Sequence, residues 1–123
     1  MTYVDGFVIA VPSANREAFI EHARKFDTLI MEHGALRVVE AWGDDVQDGK
    51  VTDFRRAVQA GGDESVAFSW IEWPDRETRD RAHAEMQRKM QAGEIDQGHK
   101  DMPFDGRRMI FGGFSAILEL GGK

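Results

Sequence analysis

Apolar positions along this chain first alternate, then recur at helical spacing, and the switch repeats. In the stretch Tyr3 to Val11, residues Tyr3, Asp5, Phe7, Ile9 and Val11 point one way. Val4, Gly6, Val8 and Ala10 point the other, which predicts a strand. Pro12 stops it, and Ser13 is a suitable N-cap for a helix over about 14–33. The stripe of that helix reads Phe19, Ala23, Phe26 and Ile30, with Leu29 beside it, and Gly34 offers the left-handed residue that ends it. A second strand follows from Leu36 to Gly43, then the turn-rich run 44–50. Residues 52–60 read as a short helix capped by Thr52 or, alternatively, as a strand. Val66 to Trp73 is a third strand, broken by Pro74-Asp75, and a helix then runs to about Gln91. After a loop-like stretch, Arg108 to Leu120 is a last strand with a bulge or bend expected at Gly112-Gly113.

The order βαβ–βαβ predicts an α+β class, ferredoxin-like βαββαβ sandwich, with two helices on one face of an antiparallel sheet. A sandwich standing alone should alternate apolar and polar along its strands, because one sheet face meets water. These strands do not. Phe68 and Trp70 oppose Ile71 and Trp73, and Phe111 and Ile117 oppose Ile110, Phe114 and Leu118. Something must cover the second face, and another copy of the chain is the simplest cover, so a homodimer is expected.

Composition narrows the classes. The length of 123 residues suits one domain, 1–123. A net charge of −6, with arginines interleaved with acids as in Asp75-Arg76-Glu77-Thr78-Arg79-Asp80-Arg81, leaves no basic footprint, so no nucleic-acid partner is expected. No apolar run is long enough to span a bilayer and the N-terminus lacks a basic leader, so no membrane partner and a cytoplasmic location are expected. The absence of cysteine excludes thiol nucleophiles and thiolate metal sites. Metal-ligand spacing, a nucleophile elbow, a P-loop and a dinucleotide fingerprint are all missing, so neither metal nor cofactor is expected. The aspartates at 44, 45, 48 and 53 do not have EF-hand spacing and read as a solvated turn.

Four segments carry a family resemblance: Tyr3-Val4-Asp5-Gly6-Phe7-Val8, Asp48-Gly49-Lys50-Val51-Thr52-Asp53-Phe54, Phe68-Ser69-Trp70-Ile71-Glu72 and Met102-Pro103-Phe104-Asp105-Gly106-Arg107-Arg108-Met109-Ile110. Together they resemble the YbaA-like family, small bacterial proteins with a domain of unknown function. The resemblance covers nearly the whole chain and implies a dimeric α/β barrel, in which two ferredoxin-like subunits join sheets. It implies no activity, since that barrel serves cofactor-free oxygenases, isomerases and ligand sensors alike.

Polar residues on apolar strands are the candidates for chemistry. By strand parity Asp5, Phe7, Glu40, Trp42, Trp70 and Glu72 are expected to share one sheet face. Desolvated carboxylates among aromatics suit proton abstraction, and the competing account is an ion pair with an arginine such as Arg37, Arg55 or Arg107. Asp5, His83 and Glu72 are the candidate catalytic residues; Glu40, Trp42, Phe54, Trp70 and Arg107 are candidates for ligand binding. His22 and His33 border the first helix's stripe and His99 lies in a polar loop; each suits a structural role better. The expectation is a small-molecule-binding dimer with a pocket between sheet and helices. The alternatives are a cofactor-independent oxygenase- or isomerase-like enzyme, and a purely structural or protein-interaction dimer.

Overall fold

The structure, a computed structural model, describes residues 2–94 and 102–121. Strand β1 (Tyr3–Pro12) leads through a 3-10 turn at Ser13–Asn15 into helix α1 (Arg16–Glu32), then strand β2 (Arg37–Trp42). A single helical turn, α2 (Phe54–Ala57), precedes β3 (Glu64–Trp73) and helix α3 (Arg76–Gln91), and β4 (Ile110–Ser115) ends the sheet. The strands are antiparallel in the order β2-β3-β1-β4. The fold is therefore the ferredoxin-like α+β sandwich expected from the element order.

Local chemistry explains the boundaries. Asp75 caps α3 by accepting from the Thr78 amide at 2.7 Å. The Asp53 carboxylate, not the Thr52 hydroxyl, caps α2, accepting from the amides of Arg56 (2.8 Å) and Gly49 (3.1 Å). Of the two readings for 52–60, the helix is the one formed, over four residues. Ser13 is not the cap of α1: its hydroxyl hydrogen-bonds that of Ser65, and α1 starts three residues later without a side-chain cap. Gly34 takes the expected positive φ, +110°.

The register sorts side chains onto two faces. Asp5 lies opposite Ile71, Phe7 opposite Ser69, and Glu40 opposite that same Ser69. The odd positions of β1, β3 and β4 and the even positions of β2 thus face α1 and α3. Ile30, Ile71, Trp73, Ala82 and Met86 form one buried cluster there, and Ile9, Val11, Phe19 and Ala67 another. The even positions of β3 face away, which separates Trp70 and Glu72 from Asp5, Phe7, Glu40 and Trp42. Residues on strands whose pairing is not yet known cannot be assigned a common face by counting, because each strand pair has its own offset. On the outer face α2 and the turn after it pack down, burying Val58 against Ala10 and Val66.

Two other expectations change. Phe26 is exposed, and the buried stripe of α1 is Phe19, Ala23 and Ile30. Its helical spacing puts Asp27, half-buried, on the inward side. β4 also runs through Gly112 and Gly113 in regular register with β1, with no bulge. Gly113 has a different purpose: a Cβ there would stand 2.9 Å from Tyr3 Cε2 and 2.8 Å from Arg79 Nη2, so its absence lets the tyrosine ring cross β4.

Candidate functional site

Two polar or charged residues are buried as a whole among the described residues, Asp5 and Ser69, and both lie on the face beneath the helices. Each is the centre of a cluster.

Asp5 is 3% exposed and enters the second row of β1 beside Gly113. Trp73 Nε1 donates to its Oδ2 at 3.0 Å. Helix α3 supplies the rest at i, i+4 spacing: Arg79 Nη2 stands 2.9 Å from Oδ1, and His83 Nε2 stands 3.1 Å from Oδ2. Burial by itself raises the carboxyl pKa, but the hydrogen bonds from His83, Arg79 and Trp73 outweigh it and hold Asp5 below the usual carboxylate range. The Arg79 guanidinium also lies over the Tyr3 ring, 5.3 Å from its centroid. His83 packs edge-on against Trp73 and keeps 44% of its side chain in solvent. With Nε2 turned to Asp5, Nδ1 is the ring nitrogen left for other chemistry, and among the described residues no hydrogen bond reaches it. A buried carboxylate thus orients a half-open imidazole, an arrangement suited to proton transfer. One row along on the same face, Phe7 stacks on the exposed ring of Phe111 with centroids 6.3 Å apart.

The second cluster joins three elements. The Ser69 hydroxyl on β3 donates to Glu40 on β2, and the carboxyl of Asp27 on α1 hydrogen-bonds Glu40 as well. Burial and the neighbouring Glu40 push the Asp27 pKa up to about 8, so this carboxyl keeps its proton at neutral pH and can donate it across the pair. Trp42, two residues beyond Glu40, packs with Phe19 at 6.0 Å and lies under the guanidinium of Arg16.

The other sequence candidates lie apart from both clusters. Glu72 is on the outer face, accepting from Trp70 Nε1 at 2.8 Å and paired with Arg37 at 3.6 Å. Trp70 packs on Phe68, which also meets Phe54 of α2. Arg107 is almost fully exposed and paired with Asp105 at 3.1 Å, while its neighbour Arg108 locks Glu64 at 2.7 Å and pulls that carboxyl down to about 2. Trp73 is fully buried, so Trp42, Trp70 and Trp73 line no common cavity. The prominent concavities are open grooves: one of about 520 Å³ beside His33, Thr78 and Arg88, another of about 610 Å³ beside Asp53, Arg56 and Gln59. His33 is engaged by the Leu29 carbonyl and Lys89, His22 meets Phe104 edge-on, and His99 lies outside the described residues. No group of three or more potential metal ligands occurs among the described residues.

Arg79, Ser69 and Asp27 complete these clusters and were not among the sequence candidates. Asp27 carries a legible signal, an acid four residues after Ala23 and three before Ile30, inside the apolar stripe. Arg79 carries none, because it sits in a run of alternating charge that looks uniformly solvated.

Comparison with known proteins agrees with this architecture. Residues 2–106 match the family described as protein of unknown function, DUF1428. The chain belongs to that family. An uncharacterised protein of Escherichia coli K12, YbaA, is 52% identical over 119 residues, 97% of this chain and 99% of its own. YbaA of Shigella flexneri matches to the same extent. Among solved structures, a dimeric ferredoxin-like protein from an uncultured marine organism superimposes with a TM-score of 0.60 at 11% identity, covering 97% of this chain and 98% of that one. That likeness bears on the fold.

Proposed function

We propose that this member of the DUF1428 family is a self-associating small-molecule protein whose working group is His83, held by Asp5 and acting as a general base and acid. The observation that carries it is the 3.1 Å contact from His83 Nε2 to a buried Asp5, with the imidazole still half in solvent. In this reading Asp5 fixes the ring and carries the countercharge once His83 has taken a proton through Nδ1. Arg79 and Trp73 position Asp5 and touch nothing else in the reaction. The exposed Phe111 ring, on the same face, supplies an apolar floor for the molecule being handled. The site is the region between sheet and α3, open on the β4 side, and Glu40 and Trp42 border the same layer under α1. Trp70, Glu72 and Phe54 fall on the other side of the sheet, and in this reading they serve assembly. Arg107 has no part in it.

Self-association belongs to the same reading. Phe68, Ile110 and Phe114 are exposed on the outer face beside Trp70, more apolar surface than a lone subunit commonly carries. The structural neighbour's description as dimeric supports a second copy as the cover, sheet face to sheet face, giving an α/β barrel. The chain then works as one domain per subunit. The lack of cysteine suits a reducing cytoplasm.

Native mass spectrometry of gently purified protein, followed by carbon–hydrogen exchange in D2O, tests this. The expected result is a dimer with a retained small mass, and deuterium entering one component of a bacterial small-molecule extract with wild type but not with His83→Gln. A bare dimer that exchanges nothing leaves the Asp5 cluster as a clamp between α3 and the sheet, and overturns the acid–base reading.

A further inference from the structure

Past Ser115 the chain leaves the sheet but stays tied to it. The Ala116 amide donates to the Thr2 carbonyl at 3.0 Å. Glu119 then accepts from the Thr2 amide at 3.0 Å and from its hydroxyl at 2.8 Å. Those bonds hold the Glu119 carboxyl below its usual pKa. The tail is therefore anchored at both ends of a short segment, yet Ile117, Leu118 and Leu120 are 93%, 73% and 85% exposed. Fixing a backbone costs conformational entropy, and here the subunit's own packing returns no apolar burial for it. A segment ordered in this way has its apolar side chains presented to something outside the subunit.

What that something is follows from where the tail begins. It continues directly from β4, whose Ile110 and Phe114 are exposed on the outer sheet face. The tail runs on directly from the strand that carries part of that face, and a contact between identical copies under two-fold symmetry gives and receives the same patch. We propose that residues 116–121 are a clasp that lies against a second copy of this chain and adds Ile117, Leu118 and Leu120 to the interface begun by the outer sheet face. The clasp rests on the self-association proposed above. Glu119 and Thr2 serve as its hinge pin, setting the direction in which the three side chains leave the subunit. Each copy contributes one clasp and receives one, so the contact closes at two subunits.

Sedimentation velocity on the full chain over a concentration series reads this directly. The triple variant Ile117→Ser, Leu118→Ser, Leu120→Ser is expected to weaken the dimer about a hundredfold or more, from the burial of three aliphatic side chains per copy. Phe26→Ser, an exposed apolar residue on α1, is expected to leave it unchanged. The chain has no cysteine, so a Leu118→Cys variant carries a single thiol. Its maleimide labelling is expected to slow as the protein is concentrated into the dimer, a readout that does not depend on the triple variant folding. A wild-type dimer whose dissociation constant moves less than threefold in the triple variant, with labelling independent of concentration, overturns the clasp and leaves the dimer standing. A wild type that stays monomeric at tens of micromolar overturns both.

Discussion

The Asp5 carboxyl receives hydrogen bonds from an indole, a guanidinium and an imidazole, whereas that of Asp27 meets another carboxyl, and the two therefore respond to pH with opposite sign. Asp5 has a lowered pKa in the folded chain. Its contribution to stability is present above the ordinary carboxylate range and is lost as pH falls through the lower folded value. Asp5→Asn is expected to cost about 2–3 kcal/mol at pH 7, less than for a fully buried pair because His83 is half in solvent, and to flatten the acid limb of stability. Urea unfolding at pH 7 and pH 3.5 measures both, and an unchanged acid limb would remove Asp5 from this role. Asp27 has a raised pKa. Its contribution is fully present below the ordinary carboxylate range and is lost as pH rises towards the folded value of about 8. Thermal melts of Asp27→Asn between pH 5 and 9 are expected to show a gain over wild type that grows with pH. Parallel profiles would mean that the two carboxyls do not share a proton.

At the scale of elements, β4 carries two adjacent glycines that the structure treats differently. A methyl at Gly112 meets Phe114 at an ordinary 3.5 Å, whereas one at Gly113 collides with Tyr3 and Arg79. Gly112→Ala is therefore expected to be tolerated, and Gly113→Ala to destabilise by about 1–3 kcal/mol as Tyr3 is pushed out from beneath Arg79. Differential scanning calorimetry of the two variants compares them, and equal melting temperatures would contradict the close approach. Helix α1 makes a related point. Phe26 and Asp27 are neighbours on its stripe, and hydrophobicity alone favours Phe26 as the inward residue. The helix is rotated so that Asp27 turns toward Glu40 and Phe26 toward solvent. Propensity and spacing locate such a helix well; its rotation by one residue depends on what the sheet offers beneath it.

For the whole molecule, the proposed contact between copies is apolar, with Phe68, Ile110 and Phe114 at its centre and the Arg37–Glu72 pair on the same face. Screening weakens ionic contacts and leaves apolar burial intact. The dimer's dissociation constant is therefore expected to change less than about threefold between 0.05 and 1 M NaCl, followed by sedimentation equilibrium. A dimer that falls apart in high salt would point to an ionic interface elsewhere on this acidic surface. Phe114→Arg, which places a charge in the middle of the face, is expected to yield monomers that keep the far-ultraviolet dichroism of the fold.

Much of this was legible in the residues themselves. Alternation, helical spacing and turn residues are local, so the order of strands and helices, the C-terminal ends of β3 and α3, and the apolar character of both sheet faces could be read without coordinates. Asp5 and His83 were also legible singly, an acid within an apolar strand and a histidine on a helix border. Their meeting was not, since it requires the β1–β3 register and the seating of α3 over β1. Register is one offset per strand pair, and a polar–apolar alternation reveals it only when one face is wet. Here both faces are apolar, so the pattern is silent on which residues turn toward the helices. Tertiary packing made that choice, joining Asp5 to His83 and Arg79 and sending Trp70 and Glu72 to the opposite side.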